Sequence, residues 1–268
     1  MADKVRIFET ARHVFRLNES QCDAVASCIS ATKCSEKPSV RLIWGPPGTG
    51  KTKTLSVILL MLLMDTSKPR ILVCAPTNSA LVQLASRLIS LVENFTKTSH
   101  LLDDIIMFGS DKLSSCFKNT DNDLSKIFLK FLVNKLDIHH HRRRDEEDKL
   151  LQKAQLVFCT PFQSIRLSNQ HFDILVIDEA AYLKESESMV PLTIDGIKHL
   201  VLVGDEKQLD SVVLSPVSLP YNTSDYFLIS RLLIPYNTSD YFLISRLLTL
   251  LTANFVDCSQ GYVWAEPL

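Results

Sequence analysis

Five short runs along the chain are apolar at nearly every position rather than at every second one: RLIW at 41–44, RILVCA at 70–75, QLVFCT at 155–160, DILVIDE at 173–179 and HLVLVGD at 199–205. A strand exposed on one face alternates; a strand covered on both faces does not, so these runs predict a mainly parallel sheet between layers of helices. Helical patterns fill the gaps at 52–64 and 78–91, giving the βαβ succession of an α/β domain. LNESQ at 17–21 predicts a further helix start, with Asn18 as N-cap and Gln21, three residues on, closing an Asn form of the capping box.

Between 92 and 153 the periodicity loosens. No run there has strong strand character, and 93–153 reads as a helical insertion between core strands. Its segment IHHHRRRDEEDK at 138–149 answers a basic run at once with an acidic one. A solvated helix face with i,i+4 pairs accounts for that, and a contact to nucleic acid is the other reading. Metal binding by His139–His141 is disfavoured, because consecutive helical residues point in different directions.

Composition narrows the setting. With 46% apolar and 22% charged residues the chain can bury a core, and a net charge of −1 means that any nucleic-acid binding comes from a local surface. Seven cysteines include no C-x-x-C pair, and several sit in apolar runs where a buried thiol belongs, which predicts a reducing compartment and no zinc. The opening residues lack a signal-peptide core, and the longest apolar run, LSVILLMLLM at 55–64, is about half of a bilayer span. The expectation is an intracellular protein of nucleus or cytoplasm with no membrane partner, in which the Asn-x-Ser/Thr triplets at Asn94, Asn222 and Asn237 carry no sugar.

Three clusters carry chemistry. GPPGTGKT at 45–52 fits G-x-x-x-x-G-K-[ST] between a strand and an apolar helix: backbone N–H groups and the helix N-terminus cradle phosphates, Lys51 neutralises them and the Thr52 hydroxyl reaches Mg2+. The motif predicts a nucleoside triphosphate site. Asp178 and Glu179 end a strand where a P-loop sheet meets its ligand, Asp178 placed to hold Mg2+ and Glu179 to orient or deprotonate a water. VGDEKQLD at 203–210 ends the next strand, and its Gln208 is suited to a γ-phosphate or a water.

Taken in order, LNESQ, WGPPGTGKTKT at 44–54, CAPTNSA at 74–80, FCTP at 158–161, VIDEAA at 176–181 and GDEKQL at 204–209 resemble the motifs of superfamily 1 helicases. The nearest resemblance is to the branch of the nonsense-mediated-decay helicase and senataxin, particularly plant relatives. It spans about 14–233 and implies a P-loop NTPase domain of RecA-like fold at 17–210, preceded by a lead-in at 1–16. It implies an ATP·Mg2+ site made of Gln21, Gly45, Pro46, Gly48, Thr49, Gly50, Lys51, Thr52 and Lys53, with Gln21 on the adenine edge and Mg2+ held by Thr52 and Asp178. Lys51, Asp178, Glu179 and Gln208 take the catalytic roles, Gln208 coupling γ-phosphate to movement. Thr77, Asn78 and Thr160 correspond to positions that touch the sugar-phosphate backbone of single-stranded RNA or DNA. Thr77 is equally suited to cap a helix, and the two roles are compatible.

The chain departs from that pattern in places. Asp210 stands where relatives carry Pro, the accessory barrel expected ahead of LNESQ is missing, and the sequence ends about sixty residues after GDEKQL, without the arginine motifs of a second motor domain. An arginine finger is worth about 10³–10⁵ in turnover. The expectation is the first motor domain of an ATP-dependent helicase or nucleic-acid-stimulated ATPase that by itself binds ATP and turns it over near background. A non-catalytic or decayed ATP-binding module is the alternative. The remaining segment, 211–268, holds PYNTSDYFLISRLL twice, at 220–233 and 235–248, a tandem duplication of fifteen residues. Two short copies do not make a repeat fold. Each predicts a turn and a short helix, with one copy in the family's helix slot and the other displaced.

Overall fold

The computed structural model describes residues 2–33, 38–95, 99–115, 117, 124–136, 142–205 and 262–264. His139–His141, Gln208, Asp210 and both copies of the doubled phrase lie outside the described residues.

All five predicted strands form: β1 Ser39–Trp44, β2 Ile71–Cys74, β4 Leu156–Cys159, β5 Ile174–Ile177 and β6 His199–Gly204. With two short strands, β3 Ile105–Met107 and β7 Tyr262–Trp264, they form one parallel sheet in the order β3-β4-β2-β5-β6-β1-β7. The continuous apolar runs are explained by burial on both faces. In β2, Ile71 and Val73 point into one core with Val25 and Ile29, Leu55, Ile58 and Leu59, and Leu81, Leu84 and Leu88. Leu72 and Cys74 point into the other, with Leu129, Val133, Leu151, Leu167, Leu183 and Leu192. A sheet with both faces covered leaves only its edges for chemistry.

The helices of the first core are α1 Ala2–His13, α2 Glu19–Thr32, α3 Lys51–Leu63 and α4 Asn78–Phe95. At the head of α2 both halves of the predicted capping box are made: Asn18 Oδ1 accepts from the Gln21 N–H at 2.9 Å, and Gln21 Oε1 accepts from the Asn18 N–H at 3.1 Å. Cys22, Cys28, Cys74 and Cys159 are buried free thiols, and burial pushes Cys28 up to about 12. Among the described residues no helix is long and apolar enough to cross a membrane.

The stretch at 93–153 corrects the sequence reading in one respect. It does hold helices, α5 Asp111–Ser115, α6 Leu129–Asn134 and α7 Arg143–Lys153, but it also supplies a strand, β3 Ile105–Met107, which pairs with β4 at the sheet edge. Three residues are too few to show a period in sequence, yet all three are buried. Of the acids in 138–149, Glu146 pairs with Lys149 at 2.7 Å, three residues on, and Glu147 pairs with Arg166, outside the segment, at 3.0 Å. A short strand β7, Tyr262–Trp264, lies parallel to β1 on its outer side, and α8 spans Glu185–Leu192.

Arg70, just before β2, ties its own segment to two others, 151–154 and 170–173, at the opposite edge from the P-loop. Its guanidinium donates to the carbonyls of Ala154 (3.2 Å), His171 (2.9 Å) and Leu151 (2.8 Å) and to Gln170 Oε1 (2.9 Å), while lying 4.6 Å over the Phe172 ring. Its own N–H donates to Asp173 Oδ2 at 2.8 Å.

Candidate nucleotide and nucleic-acid site

Because every strand is parallel, all C-terminal ends share one edge. Onto that edge the sequence delivers the P-loop after β1, Thr77 and Asn78 after β2, Thr160 after β4, Asp178 and Glu179 after β5, and Asp205 after β6. β6 lies between β1 and β5, so Asp205 sits between the P-loop strand and the strand of the two acids.

The loop 45–50 is held from within. Gly45 N–H donates to the Gly204 carbonyl at 3.4 Å, continuing the β1–β6 pairing one step further. Thr49 is buried, and its hydroxyl donates to the Pro46 carbonyl at 2.8 Å. Gly48 and Gly50 have φ of 81° and 82°, the left-handed conformation that a side chain disfavours. Gly48 faces open space, with nothing within 4 Å of where a Cβ would be, whereas the same point on Gly50 is 2.7 Å from Gln21 Nε2. Gln21 is itself buried, its amide shared between the Asn18 N–H and the Thr49 carbonyl. One N–H and one lone pair of that amide are left over for a ligand.

Lys51 opens α3, and its ammonium donates to the carbonyls of Gly45 and, at 3.0 Å, Pro46. Burial lowers its pKa, and Asp205, Asp178 and Glu179, in that order of influence, push it back up. Asp178 is 5% exposed, and burial pushes its pKa up to about 6; the hydrogen bond from the Glu179 N–H at 3.0 Å lowers it, the Glu179 charge raises it and Lys51 lowers it. Glu179 takes φ 51° and ψ 39°, a left-handed conformation unusual for a side chain of this size and a strain of roughly 1–2 kcal/mol. Thr52 stands in the first turn of α3, with its carbonyl accepting from Ser56 Oγ at 2.6 Å. Lys53 is turned to the other side of that helix start, donating to the Arg16 carbonyl at 3.1 Å.

The residues fit a phosphate chain and its divalent cation. An open glycine, an ammonium resting on loop carbonyls that phosphate oxygens can replace, and a helix start form an anion cradle. Three carboxylates act on one ammonium, and burial raises the pKa of one of them, Asp178, a cost to its ionised form that a bound cation offsets.

On the other half of the edge, the Thr77 hydroxyl accepts from the Ala80 N–H at 3.2 Å and so caps α4, leaving Asn78 in the first turn. Thr160 precedes a 3-10 helix, Pro161–Leu167, and its N–H donates to Gln163 Oε1 at 3.4 Å. β2 and β4 are neighbours, so the Thr77 and Thr160 turns lie side by side, apart from the P-loop. The sequence names Glu179 but not its left-handed backbone, and it places Asp205 within GDEKQL without giving it a role of its own.

A sequence family described as an AAA domain matches the chain over residues 16–141 and 117–216. The chain belongs to the superfamily 1 helicases of the nonsense-mediated-decay branch. The helicase relatives include the ATP-dependent helicase upf1 of Schizosaccharomyces pombe, 34% identical over 75% of this chain and 23% of its own length. A regulator of nonsense transcripts 1 homolog of Arabidopsis thaliana is 32% identical over 74% of this chain and 16% of its own length. The DNA polymerase alpha-associated DNA helicase A of Schizosaccharomyces pombe is 32% identical over 74% of this chain and 33% of its own length. The chain thus spans from about a sixth to a third of the length of these relatives. The sheet is the first RecA-like domain of such a helicase.

Proposed function

We propose that this chain is the first motor domain of an ATP-dependent helicase, binding ATP·Mg2+ at the P-loop edge and single-stranded RNA or DNA across the Thr77–Thr160 half. The observation that carries the reading is the convergence of Lys51 with Asp178, Glu179 and Asp205 at the tips of three adjacent strands. Gly45 to Thr52 wrap the phosphates, Gln21 uses its spare amide positions on the adenine edge, and Lys51 exchanges loop carbonyls for phosphate oxygens. Thr52 and Asp178 would hold magnesium, which when bound would supply positive charge against the phosphates. Glu179 orients and deprotonates the attacking water, and Gln208 reports on the γ-phosphate. Thr77, Asn78 and Thr160 grip the sugar-phosphate backbone without reading sequence. The relatives' names include both a nonsense-transcript regulator and a DNA helicase, which supports either kind of strand.

Helicase-type hydrolysis takes an arginine in addition to these acids, and the reading assigns the chain alone a turnover near background. The test is binding of a fluorescent ATP analogue with and without Mg2+, together with turnover in the presence of single strands. Mg2+-dependent binding that Lys51→Ala abolishes and Glu179→Gln preserves is the expected result. Absence of binding, or binding indifferent to Lys51, overturns the nucleotide reading; single-strand-stimulated turnover above about 1 s⁻¹ overturns the near-background part.

A further inference from the structure

The helix that follows Thr160 turns its apolar residues the wrong way. Along Pro161–Leu167, Pro161, Ser164 and Leu167 are buried, while Phe162 is 79% and Ile165 is 59% exposed. A 3-10 helix has three residues per turn, so Phe162 and Ile165 lie one above the other and form a single apolar ledge. Phe162 is the most exposed of the large apolar residues described. Single exposed apolar side chains need no explanation, but a stacked pair at the sheet's ligand edge does.

The ledge is rigid. Ser164 Oγ donates to the Pro161 carbonyl at 2.6 Å, Gln163 holds the Thr160 N–H, and Arg166 is clamped between Glu147 at 3.0 Å and the Phe108 ring at 5.6 Å. Its size limits what it takes: one phenyl ring offers roughly 150–250 Å², against about 800 Å² per partner in a stable protein interface. A nucleobase matches a phenyl face, and every base has a π-face to offer. The ring also stands two residues from Thr160 and one strand away from Thr77, beside the turns assigned above to the sugar-phosphate backbone.

We propose that Phe162, supported by Ile165, is a platform on which a base of the bound single strand stacks. The proposal rests on the reading of this edge as a single-strand site and adds a contact to the base where Thr77, Asn78 and Thr160 serve the backbone. Stacking on a ring tolerates any sequence, so it adds affinity without specificity.

The test is fluorescence anisotropy with the full chain and labelled oligonucleotides of about 12 nucleotides, one set ordinary RNA and DNA, the other abasic sugar-phosphate of equal length. Phe162→Ala is expected to weaken the ordinary strands about 5- to 100-fold, leave abasic binding and the salt slope unchanged, and leave the melting temperature where it was. Phe162→Trp is expected to restore affinity, with tryptophan emission beyond that of the native chain quenched on addition of the strand. Equal binding of ordinary strands by Phe162→Ala and the native chain overturns the stacking role alone. Equal loss on ordinary and abasic strands overturns it as well, since that marks a supporting role. Unchanged strand binding with a loss of self-association in sedimentation assigns the ledge to a second copy instead. If the native chain binds no single strand, the underlying reading falls and this one with it.

Discussion

Gln21 Nε2 donates to the Thr49 carbonyl at 2.8 Å and stands 2.7 Å from the point where a Cβ on Gly50 would sit. The third residue of α2, a partner in its capping box, thereby fixes the loop that precedes α3. Gly50 has two separate reasons to be glycine, its φ of 82° and the amide packed against it. Gly50→Ala should therefore destabilise the chain by about 2 kcal/mol or more and abolish nucleotide binding. In Gly50→Ala/Gln21→Ala the clash is removed and the backbone strain is kept, so the double variant should be more stable than the sum of the single losses requires. A double-mutant cycle from chemical denaturation measures that coupling; strict additivity would separate the two residues.

Asp178 gives a pH dependence whose sign can be worked out. Its folded-state pKa, about 6, lies above the ordinary value of 3.8, so the stability that it contributes is present below 3.8 and lost as pH rises through about 6. At neutral pH the ionised form then costs on the order of 3 kcal/mol, at roughly 1.4 kcal/mol per pKa unit. Asp178→Asn should raise the melting temperature at pH 7.5 without nucleotide and flatten its fall between pH 4 and 6, while Mg2+-dependent ATP affinity drops sharply. Thermal melts across pH with and without ATP·Mg2+ check both halves, and a destabilised Asn variant at pH 7.5 contradicts the argument.

At the far edge, Arg70 presents a planar fork to three carbonyls, and a lysine can reach only part of that set. Arg70→Lys should lower stability by about 2–3 kcal/mol, a fall of roughly 5–10 °C in melting temperature for a chain of this size. ATP affinity should hold, because the P-loop edge is on the other side of the sheet. Calorimetry and nucleotide titration on the same preparation measure the two effects.

Thr77 carries a cap that is seen and a strand contact that is proposed, and two substitutions separate them. Thr77→Ser keeps the hydroxyl and should match the native chain in both respects. Thr77→Ala should lose about 1 kcal/mol of stability and several-fold in single-strand affinity, with no change in the salt slope because no charge is removed. A stability loss with full affinity would leave Thr77 as a cap alone.

What could be read from sequence followed from burial and local spacing. β2, β4, β5 and β6 were visible because residues such as Leu72 and Val73 are buried on opposite faces, so no polar position interrupts the run. The P-loop and the Asn18–Gln21 box were visible because each is complete within a few residues. β3 was not, being three residues at an edge, and α1 carries no apolar stripe strong enough to stand out. Asp205 acts on Lys51 only because β6 is placed between β1 and β5, and Arg70 finds its carbonyls in two stretches about 80 and 100 residues downstream; neither relationship has a spacing signal in the chain. Phe162 was inconspicuous for the opposite reason: an apolar residue in an apolar neighbourhood reads as core until its exposure is known.

β1 pairs with β6 from Ser39↔His199 to Trp44↔Gly204, whereas β2 is completed by strands that begin at 156 and 174. During synthesis the P-loop sequence thus leaves the ribosome early, and its strand waits for about 160 more residues before it has that inner neighbour. The β2–β4–β5 portion can assemble first, and the phosphate cradle is completed only when residues 199–204 arrive. Acquisition of nucleotide binding on stalled nascent chains of increasing length would therefore mark the time at which this domain closes.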